Sequence, residues 1–98
     1  MPAEVGQHWI CCYDIRSAKR LVKMHKLLSM LGIAMNYSVF YLTLTMKQFF
    51  KLCQSITRLI MPEDDVRLYR CAGLDTAMSV TEKGAGDNLL IGAKGVLL

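Results

Sequence analysis

The stretch HWICCYDIR, residues 8–16, decides the fold of this 98-residue chain. Its apolar part, residues 9–13, is a short continuous run of the kind that forms a strand buried on both faces. The run ends in a single carboxylate, Asp14, where we expect the strand to leave the core. Glu4 is the only other acid among the first 62 residues. A lone carboxylate at the end of a core strand, followed by a basic helix, is a candidate site for a cation and a phosphate.

Composition predicts one small folded domain over residues 1–98. The hydrophobic fraction of 53% excludes an intrinsically disordered chain. The four cysteines show neither CxxC spacing nor a nearby pair of histidines, which favours free thiols over a disulfide framework or a zinc site. No basic segment followed by an apolar one opens the chain, so we expect no signal peptide and a reducing, cytoplasmic location.

One uncharged segment, residues 27–46, has the length of a membrane span. Gly32 interrupts this segment, polar side chains occupy its second half, and its hydrophobic period changes from helical to alternating. We therefore predict a helix end, a loop and a strand here, and no membrane partner.

The remaining pattern predicts alternating helices and strands. Ser17 is a favourable N-cap and Gly32 a favourable residue just after a helix C-terminus, so they bracket a first helix. Thr45 is the predicted N-cap of a second helix, which ends before Pro62. The apolar stripe of this second helix is predicted at Met46, Phe49, Phe50, Cys53, Ile56 and Ile60. Strands are predicted at residues 8–15, 35–44, 66–71 and 89–91, with an edge strand at 96–98. A loop is predicted over 72–88, with either a short helix around Ala77 or a mobile segment as alternatives for part of it.

This order predicts an α+β, ferredoxin-like fold, the split βαβ arrangement, whose antiparallel sheet carries both helices on one face. The core spans about residues 8–71, and residues 72–98 form a flexible or edge-strand tail. The other sheet face would present large apolar side chains. We therefore expect it to be buried against a second copy of the chain, in a homodimer.

Charge is spread unevenly along the chain. Residues 1–62 contain eight Lys and Arg but two acids, whereas residues 63–98 contain four basic and six acidic residues. A basic half favours either a polyanionic partner or simply a solvated face. Lysines of the first helix fall on one helix face, and the basic residues nearest Asp14 are the best candidates for phosphate contact. Those candidates are Arg16, Lys19, Arg20 and Lys23.

Three motifs occur in order along the chain: YDI at residues 13–15, NYSVF at 36–40 and DVRLY at 65–69, with the basic helix between the first two. Together they resemble the CRISPR-associated Cas2 family, the small subunit that works with the CRISPR integrase. The resemblance implies a ferredoxin-like homodimer with Mg²⁺- or Mn²⁺-dependent endonuclease activity on RNA or duplex DNA. It also implies a scaffolding role, in which the dimer joins integrase subunits and holds DNA during spacer acquisition.

The resemblance also assigns roles to residues. Asp14 takes the position of the metal-binding, catalytic carboxylate, and Tyr13 that of the catalytic aromatic beside it. Ser38 and Phe40 match the polar and aromatic positions of the second strand, as nucleic-acid contacts. Since Phe40 and Tyr41 alternate along the strand, only one of them can face the open side, and core packing or dimer contact is the alternative to base stacking. Tyr41 stands where the family often has an acid, and residues 16–18 lack the acids often found after the first strand. With fewer carboxylates near the metal, we expect weak cleavage.

Three hypotheses remain at this level. The leading one is a metal-dependent nuclease, which requires two copies of Asp14 to meet across a symmetry axis, because one carboxylate is a thin ligand set for Mg²⁺. The second is a non-catalytic DNA-binding scaffold for an integrase. The third is a regulatory module that binds a small molecule, although no Gly-rich phosphate loop supports it. In each case Asp14 has the alternative role of capping or turning the chain before Ser17.

Overall fold

The fold is described from a computed structural model, over residues 5–74, 78–81 and 84–87. These parts of the chain form two helices and six strands. In chain order they are β1 (Gln7–Asp14), α1 (Ala18–Ser29), β2 (Gly32–Asn36), β3 (Val39–Leu44), α2 (Met46–Leu59), β4 (Asp65–Cys71), β5 (Met78–Thr81) and β6 (Gly84–Asp87).

The main sheet has four strands in the order β2-β3-β1-β4, and every neighbouring pair is antiparallel. The order places the first strand at the centre of the sheet, next to the last, as in the split βαβ arrangement. The predicted ferredoxin-like fold class is therefore confirmed. Strands β5 and β6 pair with each other in a separate two-stranded antiparallel sheet.

The core lies between the sheet and both helices. Alternate residues of β1 point into the core, since Cys11 and Tyr13 are buried while Ile10 and Cys12 are partly exposed on the opposite face. The other buried members come from β3, from α1 and α2, and from the β1–α1 connection. They are Ile15, Met24, Leu28, Phe40, Leu42, Leu44, Leu52 and Ile56. Both helices thus cover one sheet face, as predicted, and the other face is open in the single chain.

Both predicted N-caps are present. The Ser17 hydroxyl accepts a hydrogen bond from the backbone N–H of Arg20 at 3.3 Å, which satisfies one of the free donors at the start of α1. Thr45 and Gln48 form a reciprocal capping box at the start of α2, with hydrogen bonds of 2.8 and 3.2 Å. Helix α2 ends before Pro62, as predicted.

The predicted single strand over residues 35–44 is wrong, because this segment belongs to a hairpin. Strands β2 and β3 flank a turn at Tyr37 and Ser38. The side chain of Asn36 accepts a hydrogen bond from the Tyr37 backbone N–H at 2.7 Å, which favours a turn inside an otherwise strand-like run. The hairpin supplies the fourth strand of the sheet, which the sequence pattern had placed at residues 89–91, outside the described part of the chain.

Two further expectations need correction. Gly32 does not follow the C-terminus of α1 as a cap but begins β2, where a Cβ would collide with the backbone carbonyl oxygen of Tyr41. In α2 the buried stripe contains Leu52, at helical spacing from Phe49 and Ile56, whereas Phe50 is 61% exposed.

The segment 72–88 is not a continuous loop, because it contains β5 and β6. Ala77, residues 89–91 and residues 96–98 lie outside the described residues. The uncharged segment 27–46 contains the end of α1 followed by β2 and β3, as its change of period indicated. Within the described ranges, neither helix has the length and apolar character needed to cross a membrane.

Candidate functional site

Asp14 is the last residue of β1, and its side chain is 63% exposed. It forms an ion pair with Arg16, with 3.4 Å between a carboxylate oxygen and the guanidinium Nη2. The Arg16 side chain is equally exposed. Exposed ion pairs of this kind contribute little free energy. The Asp14 carboxylate is therefore accessible to a ligand.

A second carboxylate stands beside Asp14. In the antiparallel pairing of β1 with β4, Asp14 is directly opposite Asp65. Like charges in this arrangement repel each other, and a cation between them relieves the repulsion. Asp65 forms an ion pair with Arg67, 3.1 Å between oxygen and Nε, and this pair is also exposed.

The two acids line a shallow depression of about 280 Å³, together with Ser38 and Arg67. Ser38 is held there because its backbone carbonyl accepts a hydrogen bond from the Tyr13 N–H at 3.1 Å. Carboxylate and hydroxyl oxygens are the hard ligands that Mg²⁺ and Mn²⁺ prefer. In the described part of the chain, no three His, Cys, Asp or Glu residues cluster as a metal site. Two carboxylates suit an ion that keeps several of its waters.

Sequence reasoning missed Asp65 and Arg67 as members of this site. The acidic turn at residues 63–65 was visible, but its proximity to Asp14 depends on β4 pairing with β1. The signal was present in the predicted topology, because in a split βαβ fold the last strand pairs antiparallel with the first. The start of the last strand must then lie beside the end of the first.

Tyr13, next to Asp14, points to the helix side of the sheet and is 5% exposed. Its hydroxyl donates a hydrogen bond to the backbone carbonyl of Tyr37 at 3.1 Å. Burial raises the pKa of Tyr13, with a further contribution from Cys11. The geometry thus places Tyr13 as a support for the β2–β3 turn.

Phe40 is 1% exposed and packs in the core, where the His25 ring meets it edge-on with 5.4 Å between ring centroids. Its neighbour Tyr41 points to the open sheet face instead, since successive strand residues alternate. A buried ring cannot contact a nucleic acid in this fold. Phe40 is therefore a core residue and not part of a nucleic-acid surface.

The predicted basic residues are in two different environments. Lys19 and Lys23 are exposed on α1, and Arg16 forms an ion pair with Asp14. The Arg20 side chain is only 21% exposed. It packs against the acidic turn and is not directed at the depression.

Asp64 holds Arg20 in place. Its carboxylate accepts hydrogen bonds from Arg20 Nε at 2.7 Å and Nη2 at 3.0 Å. It also accepts from the backbone N–H of Arg16 and of Met61, both at 2.9 Å. Arg20 in turn contacts Glu63 at 3.1 Å. The hydrogen bond from Arg20 holds the pKa of the Asp64 carboxyl far below its usual range, and the two backbone donors act in the same direction. Asp64 thereby fixes the loop that follows Asp14.

The Cys11 thiol offers no reactive group to this site. All four cysteines are free, and Cys11 is fully buried. Burial raises the pKa of Cys11 to about 12, so its thiol stays protonated at neutral pH.

Comparison with known proteins connects this geometry to one family. Residues 7–75 match the family model of the CRISPR associated protein Cas2. The chain is 33% identical over 82 residues to the CRISPR-associated endoribonuclease Cas2 2 of Thermodesulfovibrio yellowstonii, an alignment that covers 83% of this chain and 87% of that protein.

Comparison with solved structures indicates the same family. A hypothetical protein from Thermus thermophilus superposes with a TM-score of 0.67 at 30% identity, over 69% of this chain and 84% of that one. A crystal structure of a Cas2 protein gives 0.69 at 25% identity, covering 81% and 90%. Streptococcus pyogenes Cas2, crystallised at pH 6.5, gives 0.62 at 26% identity, covering 67% and 86%. Since the family model covers well over half of the chain and the sheet has the same fold, this protein belongs to the CRISPR-associated Cas2 family.

Proposed function

We propose that this protein is a metal-dependent endonuclease that hydrolyses phosphodiester bonds of RNA or DNA and takes part in CRISPR spacer acquisition. One observation carries the proposal: an accessible Asp14 lies opposite Asp65, and Arg16 and Arg67 stand beside them. The Thermodesulfovibrio relative is named an endoribonuclease. Two acids that repel each other, beside exposed arginines, suit a bound metal and a phosphate together.

The carboxylates of Asp14 and Asp65 would hold the ion, Mg²⁺ or Mn²⁺. When bound, such an ion neutralises phosphate charge and lowers the pKa of a coordinated water. The remaining roles belong to side chains around the depression. Arg16 and Arg67 would bind phosphate oxygens, for which the guanidinium fork is well shaped. The Ser38 hydroxyl would donate a further hydrogen bond, and Tyr13 keeps its turn in position.

The open sheet face supports a homodimer as part of the proposal. This face presents apolar and aromatic side chains that the helices do not cover, among them a half-exposed Tyr69. Those from the four strands are Ile10, Ile33, Val39, Tyr41 and Tyr69. Asp14 and Asp65 lie at the end of the same face. A second copy seated there would bring a second pair of carboxylates towards the first.

The decisive experiment compares Asp14→Asn with the unchanged chain on labelled RNA and duplex DNA, with Mg²⁺, with Mn²⁺ and with EDTA. We expect the variant and EDTA each to abolish cleavage, because both remove the proposed metal. Sedimentation analysis should show an unchanged dimer for the variant. Glu63→Gln is the matched control, since Glu63 is exposed and contacts Arg20 instead of the depression. Cleavage by the Asp14 variant at the normal rate would contradict the proposal.

A second candidate is a non-catalytic scaffold that binds duplex DNA for an integrase. The observation that favours it is the exposed lysine face of α1, where Lys19, Lys23 and Lys26 line one hollow. Such a face binds phosphates without regard to sequence, and its affinity falls steeply with salt. Charge-neutral variants Lys19→Gln and Lys23→Gln should each reduce the salt slope of DNA binding by about one unit. If integration assays with the integrase respond to these variants but not to Asp14→Asn, the scaffold is the function.

A further inference from the structure

A groove of about 540 Å³ runs between α1 and the β2–β3 turn, next to the depression that contains Asp14. Its volume falls within the range of small-ligand sites, roughly 300–1,000 Å³. The walls are mostly apolar, with one basic residue at the rim. Side chains that line the groove include Leu21, Val22, His25, Lys26, Tyr37 and Ser38.

Tyr37 is the most exposed aromatic residue of this groove, with 93% of its surface accessible. Its backbone is nevertheless fixed at two points. The N–H donates to the Asn36 side chain at 2.7 Å, and the carbonyl accepts from the buried Tyr13 hydroxyl at 3.1 Å. An aromatic ring on a rigid turn costs little conformational entropy when it binds a partner. The fold therefore presents Tyr37 ready for contact.

The charge around the groove identifies the class of partner. Lys26 belongs to the groove and also to the lysine face of α1, which runs along the outside of the same helix. No acid occurs between Ile15 and Pro62, the stretch that includes α1 and the turn. An exposed aromatic ring beside lysines is the arrangement that binds nucleic acid, because the ring stacks on a base while the cations contact phosphates.

The groove is continuous with the proposed catalytic depression. Ser38 lines both, and Tyr13 lies beneath both. A strand whose phosphate lies at Asp14 passes Ser38 as it enters the groove. The base of a neighbouring nucleotide can then reach the Tyr37 ring.

We propose that this groove is a nucleobase-binding subsite in which an unpaired base stacks on Tyr37, so that the protein prefers single-stranded nucleic acid here. The preference for single strands follows because the faces of a base in a duplex are covered by the stacked bases above and below it. An unpaired base leaves one face free to stack on the Tyr37 ring. The position of the subsite relative to the scissile phosphate rests on the proposed function. Binding of an unpaired base to Tyr37 does not depend on that function.

The test measures binding of the full-length protein in EDTA by fluorescence anisotropy, with a labelled single-stranded RNA, the same sequence as DNA, and the corresponding duplex. Tyr37→Ala should raise the Kd for the single strands roughly 5- to 150-fold and leave duplex binding unchanged. Tyr37→Phe keeps the ring and should bind like the unchanged chain. Since the Tyr37 side chain is exposed, we expect no change in melting temperature.

Phe50→Ala is the matched control, because Phe50 is also an exposed aromatic but lies on α2, away from the groove. Replacing single bases of the strand by abasic sites locates the contact. At the base that stacks on Tyr37, the abasic change and Tyr37→Ala should not be additive. The RNA and DNA arms show whether the subsite discriminates between the two sugars.

Equal weakening of duplex and single-strand binding by Tyr37→Ala would overturn the proposal, as would no weakening at all. These results are distinct from failure of the nuclease. If no metal supports cleavage but Tyr37→Ala still weakens single-strand binding, the subsite stands without the activity. If Asp14→Asn abolishes cleavage while Tyr37→Ala binds normally, the activity stands without the subsite.

Discussion

Asp64 and Asp65 are adjacent in the chain and have opposite environments. The side chain of Asp64 is 0% exposed and accepts hydrogen bonds from Arg20 and from two backbone N–H groups. The Asp65 side chain is 57% exposed, pairs loosely with Arg67 and faces Asp14 across the sheet. Buried carboxylates persist only when their acceptors are satisfied, whereas an exposed pair of like charges keeps the capacity to bind a cation.

The difference shows that a run of acids has no single role. Asp64 precedes β4 and turns inward to hold the β1–α1 and α2–β4 loops together. Asp65 begins β4 and points to the open face. The inward acid stabilises the loop that follows Asp14, and the outward acid extends the site that Asp14 begins. We expect substitutions of the two to separate stability from metal binding.

The largest effect should come from Asp64→Asn. The amide lacks the charge that pairs with Arg20 and places an NH₂ group among donors, so the largely buried Arg20 guanidinium loses its carboxylate partner at Asp64. We expect the melting temperature to fall by about 10 °C, measured by calorimetry. Asp65→Asn is the control and should leave the melting temperature nearly unchanged. An equal fall in melting temperature for the two variants would show that Asp64 and Asp65 do not differ in their contribution to stability.

The acid dependence of stability should also come mainly from Asp64. Its pKa is lowered on folding, from about 3.9 in an unfolded chain, so the unfolded state binds the proton more readily. The stabilisation is fully present above about pH 5 and is lost as the pH falls through about 4 and below. Urea denaturation, followed by Trp9 fluorescence at several pH values, measures how the free energy of unfolding depends on pH. The curve for Asp64→Asn should be flatter, and parallel curves would assign the acid sensitivity elsewhere.

Asp65→Asn should act on metal binding instead. With one of two carboxylates replaced, we expect the Mg²⁺ or Mn²⁺ concentration for half-maximal cleavage to rise on the order of tenfold. Manganese titration followed by electron paramagnetic resonance gives the same affinity without catalysis. Unchanged metal affinity in both measurements would remove Asp65 from the site and leave Asp14 alone in it.

The smallest effect should come from Glu63→Gln. Glu63 is 56% exposed and makes a single contact to Arg20, which Asp64 already holds. Exposed ion pairs contribute little, so the melting temperature should change by no more than about 2 °C. A loss as large as that of Asp64→Asn would mean that the acidic turn acts as one unit.

Much of this fold could be predicted from local patterns. The apolar run ending in Asp14 gave β1, and Ser17 and Thr45 marked the starts of both helices, because caps and hydrophobic spacing are properties of short segments. Predictions from local patterns were wrong where a contact between residues distant in sequence determines the structure. The glycine at position 32 is required by the close approach of the Tyr41 carbonyl and not by a helix end. The turn after Asn36 divides a segment whose sequence resembles a single strand.

The sequence by itself determined β1 with its exposed end, the starts of both helices and the family motifs, since each is encoded within a few neighbouring residues. Only the tertiary structure decided which side chains meet. The pairing of β1 with β4 brings Asp65 opposite Asp14, and the loops bring Asp64 under Arg20. Strand register and side-chain direction fix these contacts, and both depend on how the whole sheet packs against its helices.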